Sequence, residues 1–374
     1  MDYTKQKFLF KVSKVLRYLR LYGFQRTLVK VQGQYHMQRR FSSLPDAMHK
    51  SYRRSLSQVG IIGCGNYAFS NIAYYLSKYK QFQIRGVMDT DIHKAASLFN
   101  HYDVQFYTDD AETIINDSKI DLVFIASNHA SHAEYAVKCI LSGKNVHIEK
   151  PHVVNSQQLI CLIDAMCQKT AGKVFLGFNR PRSQLFQLLQ HKLKFQDGPL
   201  MINWFIAGHE IPHNHWYFDE SEGGRVLGNL CHWTDLTLHL VGLSNAFPCT
   251  VYSTAPSGSK SDFVFSVLFA DRSCATITFS AKGHAFEGVR EVLNVHKGNL
   301  LGNITDFQTM SLEIIDNRIK KSLLFRDHGH KANIVNSLVS ARGESTDYIY
   351  LTARFFLAFK EALDTNQNVV VSGQ

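Results

Sequence analysis

Val59-Gly60-Ile61-Ile62-Gly63-Cys64-Gly65-Asn66-Tyr67-Ala68 is an apolar run broken by two closely spaced glycines and followed by a small residue. Gly63 lets the chain turn sharply, Gly65 lets the backbone come close to a pyrophosphate, and Ala68 lets the following helix pack tightly on its strand. The free N–H groups that open that helix, at Asn66 and Tyr67, then face phosphate oxygens. A second apolar run, Phe82–Met88, ends at Asp89, about 20 residues on, where a dinucleotide fingerprint places its acid. A carboxylate there accepts both ribose hydroxyls and repels a 2′-phosphate, so the expected cofactor is NAD. Glycine-rich turns are common, and Asp89 could instead cap a turn before Ile92-His93-Lys94; the spacing favours the fingerprint.

Two further segments lie at the ends of apolar runs. Leu122–Ala126 leads into Ser127-Asn128-His129-Ala130-Ser131-His132, and Val146-His147-Ile148 into Glu149-Lys150-Pro151. A lysine beside a bound dinucleotide can position the cofactor and donate to a substrate hydroxyl, its pKa lowered by the positive nicotinamide. Taken alone, Glu149-Lys150 reads as a surface ion pair. The richest later stretch is Gly208–Tyr217 followed by Gly223–Asp235, with histidines at 209, 213, 215 and 232. They lack the H-x-x-x-H spacing and carboxylates of a metal site, so no metal is expected. His209 and His213 read as structural.

These residues need a scaffold. Strands are expected at 58–62, 82–88, 104–107, 121–126 and 145–149, with helices near 66–79, 91–101, 109–117, 130–142 and 156–170. That alternation implies a doubly wound parallel sheet with ligands at its carboxyl edge. Farther on, 199–207, 250–253, 263–270, 274–280, 289–296 and 311–315 alternate apolar and polar residues, as strands with one covered face do. The chain thus reads as α/β with three parts: an extension at 1–57, a Rossmann domain at 58–178, and a substrate-binding and oligomerisation domain with a mainly antiparallel open sheet at 179–374.

The 374 residues are 45% apolar and 19% charged, which fits a globular protein. The net charge of +10 is not a nucleic-acid signal, because residues 1–57 carry 13 Lys/Arg against Asp2 and Asp46, and the body is nearly neutral. Residues 5–22 alternate basic and apolar positions at helical spacing, with Gly23 as a stop. That segment is a helix lying on an anionic membrane surface, or one packed on its own protein or an oligomer mate. Residues 33–57 look like a linker. Seven scattered cysteines without a C-x-x-C suit free thiols in a reducing compartment. No apolar run reaches the roughly 18 residues of a membrane span, and the N-terminus lacks the uninterrupted apolar stretch of a signal peptide. The expected location is cytoplasmic, with peripheral contact at the inner membrane face if the helix docks there.

Gly63-x-Gly65-x-x-Ala68, Asp89, Ala126–His132, Gly143–Pro151 and Gly177-Phe178-Asn179-Arg180 together resemble the Gfo/Idh/MocA oxidoreductase family, over about 58–366. The resemblance implies a Rossmann domain followed by an open-sheet domain, and a homo-oligomer. It implies cofactor contacts from Ser127, Asn128, His132, Glu149 and Lys150, and it places His232 on the family's catalytic histidine, with Asp235 one turn on to orient its ring. Many members carry an aspartate four residues before that histidine, where this chain has Gly228 beside Asn229. Asparagine cannot take a proton, so proton transfer falls to Lys150 or His232 and substrate orientation to Asn229, with Arg225 nearby. Ala207-Gly208, Ile211-Pro212 and His215-Trp216 resemble a branch found with bacterial surface-polysaccharide genes, making His215 and Trp216 sugar contacts. The implied activity is NAD-linked hydride transfer at a carbinol carbon of a sugar or sugar nucleotide. Alternatives are a redox-neutral epimerase or lyase that regenerates NAD, and a non-catalytic dinucleotide-holding scaffold docked through its basic extension.

Overall fold

Near-continuous apolar runs, which suit strands covered on both faces, form β1 (Ser57–Ile62), β2 (Phe82–Met88), β3 (Val104–Thr108), β4 (Leu122–Ile125), β5 (Asn145–Ile148) and β6 (Val174–Leu176). Among the described residues they make a parallel sheet of order β3-β2-β1-β4-β5-β6. The strand order reverses between β1 and β4, and the crevice at such a reversal is where these sheets bind ligands. The computed structural model describes residues 3–46, 57–212, 214–255, 259–282 and 286–373. The chain divides into one unit of Met1–Gly177 with Lys331–Thr346 and another of Phe178–His330 with Asp347–Gln374.

Val59, Ile61, Phe69, Ile72, Leu98 and Phe124 fill the first core, each such side chain stabilising by about 1.5–3 kcal/mol on burial. Ile334 joins them. Asn333 donates to the Leu176 carbonyl at 3.1 Å, and Ser337 Oγ meets His147 Nδ1 at 2.7 Å. Apolar burial and these polar ties therefore hold residues 331–346 in the first unit, whereas the sequence reading ran the second domain unbroken from 179 to 374. Strand β6 was not anticipated, because three residues are too few to display a period.

The N-terminal segment departs further from expectation. Its helix runs Phe8–Gln38, interrupted at Gly23, whose φ of 76° and ψ of 172° turn the chain instead of ending the helix. Residues 33–38, read as linker, are helical; 47–56 lie outside the described residues. The sequence hid the second half because Gln25, Gln32, Gln34 and His36 break up its apolar face. That half lies on the helix after the glycine turn, so closely that a Cβ on Gly33 would come within 2.4 Å of Asn66 Oδ1. Arg26 donates to the Ser70 carbonyl at 2.5 Å and to Asn71 Oδ1 at 2.7 Å, while Ser70 Oγ donates back to the Asn66 carbonyl at 2.7 Å. With carbonyls drawn away from the ladder, the helix widens to a π-helix over Ala68–Ala73 before returning to α at Tyr74–Leu76.

The second unit is built on β7 (Met201–Ala207), β8 (Cys249–Thr254), β9 (Asp262–Leu268), β10 (Cys274–Ser280), β11 (Arg290–Lys297), β12 (Leu300–Thr305), β13 (Thr309–Ile314), β14 (Asn317–Ser322) and β15 (Val369–Val371). Their order among the described residues is β14-β13-β12-β11-β7-β10-β9-β8-β15, antiparallel except for β7 with β10. Alternation along β7 turns Ile202, Trp204 and Ile206 inward and Met201 and Phe205 outward. The inner face carries the helices: Trp204 Nε1 donates to Thr237 Oγ1 at 3.1 Å, and Phe265 meets Phe359 with ring centroids 4.8 Å apart. Among the described residues no helix is long and apolar enough to cross a membrane.

Candidate active site

In the first unit the glycine turn is held by its own neighbours. Gly63 has φ +93°, and a Cβ there would lie 2.5 Å from the Ala126 carbonyl and Ser127 nitrogen, so only glycine fits where the turn crosses the end of β4. Gly65 differs, because a Cβ there would meet no protein atom within 4 Å. Open space over a bare backbone beside a helix start is what a pyrophosphate requires. Asp89 accepts from the Cys64 N–H at 2.8 Å through Oδ2 and from the Asp91 N–H at 2.9 Å through Oδ1. It therefore fixes the turn to the end of β2 while its side chain stays partly exposed, as a ribose ligand must. Cap hydrogen bonding falls to Asp91, which accepts from the His93 N–H at 3.2 Å.

Tyr67 and Glu149 join the turn to the end of β5. Burial, followed by the charge and hydrogen bond of Glu149, pushes the Tyr67 phenol well above its ordinary pKa. Glu149 is itself buried, with His147 Nε2 at 3.4 Å, and packs so closely on Gly177 that a Cβ there would lie 2.7 Å from its carboxyl. This places Glu149 as a brace between two site loops and removes it from the surface ion pair that the sequence allowed. Lys150, one residue on, is half-exposed and joined to Pro151 by a cis peptide bond. His132 is 1% exposed, its Nδ1 2.8 Å from the Pro151 carbonyl and Nε2 3.1 Å from that of Ser127. Expected to touch cofactor, it instead ties the two loops that would, because both ring nitrogens are taken up by backbone. Ser127 and Asn128 remain accessible, with Ser131 Oγ 2.7 Å from Ser127 Oγ and 2.6 Å from Asn128 Oδ1.

The sequence reading missed His36. Its Nε2 lies 2.7 Å from the Cys64 carbonyl between the two glycines, its Nδ1 is 2.9 Å from Ser97 Oγ, and its ring stacks on Phe69 at 4.3 Å. Burial holds its pKa below the ordinary histidine value. The polar surroundings of His36 gave no periodic signal; only docking of the helix reveals it beneath the turn.

In the second unit, the helix Cys231–Val241 carries His232 and is entered through a π-helix at Val226–Leu230. Asn229 Oδ1 accepts from Arg225 at 2.9 Å, and Arg225 also donates to the His209 carbonyl. Burial lowers the Arg225 pKa; the guanidinium clamps Asn229 to the loop at 209. His215 Nδ1 accepts from the Tyr217 N–H at 3.2 Å, and its ring stacks on Trp216 at 5.5 Å. Trp216 is 40% exposed. His213 lies outside the described residues.

Asp235 requires correction. It is 0% exposed, accepts from the Tyr348 hydroxyl and lies 3.7 Å from His239 Nε2. Its carboxylate faces the core, where a substrate contact was expected, and it meets Tyr348 and His239. The His232 helix is instead anchored by its neighbour Trp233, whose Nε1 donates to Glu291 Oε2 at 2.8 Å. Arg180 Nε lies 2.9 Å from the same oxygen, and His328 Nε2 is 3.2 Å from Oε1. Burial would raise the Glu291 carboxyl, but Arg180 and His328 outweigh it and hold it at about 2.

This geometry defines a Rossmann-type dinucleotide-binding unit followed by an open-sheet unit with a polar, aromatic helix entrance. Residues 57–178 match the Gfo/Idh/MocA model, described as an oxidoreductase family with an NAD-binding Rossmann fold. The chain is similar to oxidoreductase P35 of Formosa agariphila, at 38% identity over 29% of this chain and 33% of that one. It is also similar to inositol 2-dehydrogenase 2 of Saccharopolyspora erythraea, at 28% identity over 33% and 36%. The matched stretches thus span about a third of these relatives. Two solved structures share the fold over nearly their whole length. A levoglucosan dehydrogenase in complex with NADH and levoglucosan has TM-score 0.72 and 16% identity, covering 84% of this chain and 99% of that one. An oxidoreductase domain protein from Kribbella flavida has TM-score 0.70 and 14% identity, covering 85% and 99%.

Proposed function

We propose that the chain is an NAD-dependent oxidoreductase that acts on a sugar or sugar nucleotide by hydride transfer at a carbinol carbon, in surface-polysaccharide biosynthesis. The observation that carries this reading is the Asp89 carboxylate clamped onto the Gly63–Gly65 turn by the Cys64 N–H, which joins a ribose acceptor and a phosphate cradle in one rigid piece. Bound NAD would supply the hydride acceptor. Gly63, Gly65, Asn66 and Tyr67 would hold its pyrophosphate, Asp89 a ribose, and Ser127 and Asn128 the edge of the crevice. Lys150 and His232 would move the hydroxyl proton, because Asn229 cannot take one and Gly228 has no side chain. The partly exposed Trp216 indole suits a sugar ring, and the relatives named inositol and levoglucosan dehydrogenase agree with a polyol or sugar. The polysaccharide role rests on the sequence pattern around His215-Trp216.

The test is incubation of the protein and NAD with a panel of nucleotide sugars, read by reduced-nicotinamide absorbance and product mass, with NAD and NADP affinities measured alongside. Oxidised product with NADH formation is expected, and NAD should bind more tightly than NADP. Tighter NADP binding sinks the Asp89 reading. A product of unchanged oxidation state shows an epimerase or lyase, and neither product nor NADH shows a scaffold.

The exposed apolar residues Met201, Phe205, Val264 and Leu268 on the outer sheet face support a homo-oligomer, which sedimentation velocity would report as a species larger than one chain. The N-terminal helix supports peripheral attachment at the cytoplasmic membrane face. Phe8 is 76% and Leu9 79% exposed whereas Lys14 is 7% exposed, the reverse of a helix that buries its apolar side. Phe8→Asp with Leu9→Asp should abolish sedimentation with vesicles containing anionic lipid; equal sedimentation of parent and variant ends the membrane reading.

A further inference from the structure

His36 precedes the first strand of the dinucleotide-binding sheet, yet it reaches the glycine turn. It is 3% exposed, on the helix half that follows Gly23, and its Nε2 meets the Cys64 carbonyl at 2.7 Å. Burial keeps its pKa low, so near neutral pH the ring carries a single N–H. A carbonyl only accepts, which puts that N–H on Nε2 and makes the Ser97 hydroxyl the donor to Nδ1 across 2.9 Å. The ring is thus held at both nitrogens, with Phe69 stacked on its face. What it holds in turn is one peptide plane. The Cys64–Gly65 bond is trans, and in a trans peptide the carbonyl and the N–H of the next residue point in opposite directions. With the Cys64 carbonyl on His36, the Gly65 N–H is directed away from the imidazole, at the position where a Cβ would meet no protein atom within 4 Å. The preceding peptide is fixed as well, because the Cys64 N–H donates to Asp89 at 2.8 Å. Arg26, through the Ser70 carbonyl and Asn71, seats the same helix half on the helix that follows the turn.

We propose that His36 is a positioning residue for the dinucleotide, aiming the Gly65 N–H at a pyrophosphate oxygen, and that residues 25–38 are thereby part of the cofactor site; this rests on the reading of Gly63–Gly65 as the phosphate cradle. The imidazole is buried and acts through the Cys64 carbonyl, not by contact with the cofactor. Without its donor the Cys64 carbonyl is left unsatisfied and the peptide plane is free to rotate, so binding must first order the backbone that the phosphate needs.

The test uses the full chain, with NADH as the probe titrated by calorimetry and thermal unfolding of each unliganded variant measured alongside. His36→Leu removes the donor, whereas His36→Gln restores one, because a glutamine amide N–H reaches the place of imidazole Nε2. Ser97→Ala leaves His36 in place and removes the hydroxyl that orients its ring. Loss of one buried hydrogen bond should weaken NADH binding about tenfold in His36→Leu and about threefold in Ser97→Ala, with His36→Gln within about twofold of the parent. A histidine that only stabilises the fold would lower the unfolding temperature in His36→Leu and leave NADH affinity parental, and that result overturns the proposal. Equal weakening in His36→Gln and His36→Leu overturns it too. If His36→Leu does not fold, the other two variants decide: weaker binding in Ser97→Ala with parental binding in His36→Gln supports the proposal, and any other pattern overturns it. A parent that does not bind NADH removes the phosphate-cradle reading and this inference with it, whereas a parent that binds beside unaffected variants overturns this inference alone.

Discussion

Lys150→Ala and His232→Ala are each expected to lower turnover by about 10²-fold or more while leaving the fold and NAD affinity near parental. Lys150 follows β5 directly, and its neighbours on both sides are fixed: Glu149 is buried against Gly177, and the Pro151 carbonyl lies 2.8 Å from His132 Nδ1. Lys150 thus leaves a backbone held on both sides and is itself half-exposed, which suits a group that would move a proton in a fixed direction. His232 sits on a helix whose next residue, Trp233, is locked to Glu291. The His232 ring meets Phe178 and Trp233 at centroid distances of 6.2 and 6.1 Å, so thermal unfolding of each variant is measured beside turnover. The pH–rate profile gives a second readout, because loss of an essential acid or base removes one limb of the profile. Parental turnover in both variants would sink the assignment.

Glu291→Ala is expected to destabilise the second unit by about 3–5 kcal/mol, the cost of stranding a buried partner charge. Arg180, His328 and Trp233 all converge on this carboxylate, which is 1% exposed. Removing it leaves the Arg180 guanidinium buried without its counter-charge and frees the indole that ties down the His232 helix. Denaturant unfolding followed by tryptophan fluorescence measures the loss. The pH dependence has a definite sign. The folded carboxyl lies at about 2, below the ordinary 4.5, so its contribution is complete above 4.5 and disappears as pH falls toward 2. In that window the parent should lose stability more steeply than the variant. A variant within about 1 kcal/mol of the parent would show that the network carries little of the fold.

Local chemistry explains what could be read without coordinates. Gly63 and Gly65 announce a backbone conformation, the apolar runs at β1, β2, β4 and β5 announce strands covered on both faces, and Asp89 announces the end of one. Each signal lies within a few residues of what it specifies. The alternation at 201–207 and 274–280 likewise identified strands with one covered face. Short strands such as β6 and β15 gave no such signal, having too few residues for a period. The strands β12 and β14 also escaped the sequence reading.

The roles of side chains that act across the fold were not legible in this way. Asp235 sits one helical turn from His232 in sequence, yet the packing of Tyr348 turns it into the core. His132 lies in the first turn of the helix His129–Leu141, just past accessible Ser127 and Asn128, yet two carbonyls from different strand ends claim its ring. Arg26 and His36 belong to a helix half with no clear apolar face, and only its docking shows one widening the helix after the turn and the other supporting the Cys64 carbonyl. By itself the sequence determined the glycine turn, its acid and the alternation of elements around them, because backbone freedom and hydrophobic period are local properties. The tertiary structure decided which polar residues face ligand and which brace the loops, because that choice depends on partners 20 or more residues away, as for His36 and Cys64, Arg26 and Ser70, or Tyr348 and Asp235.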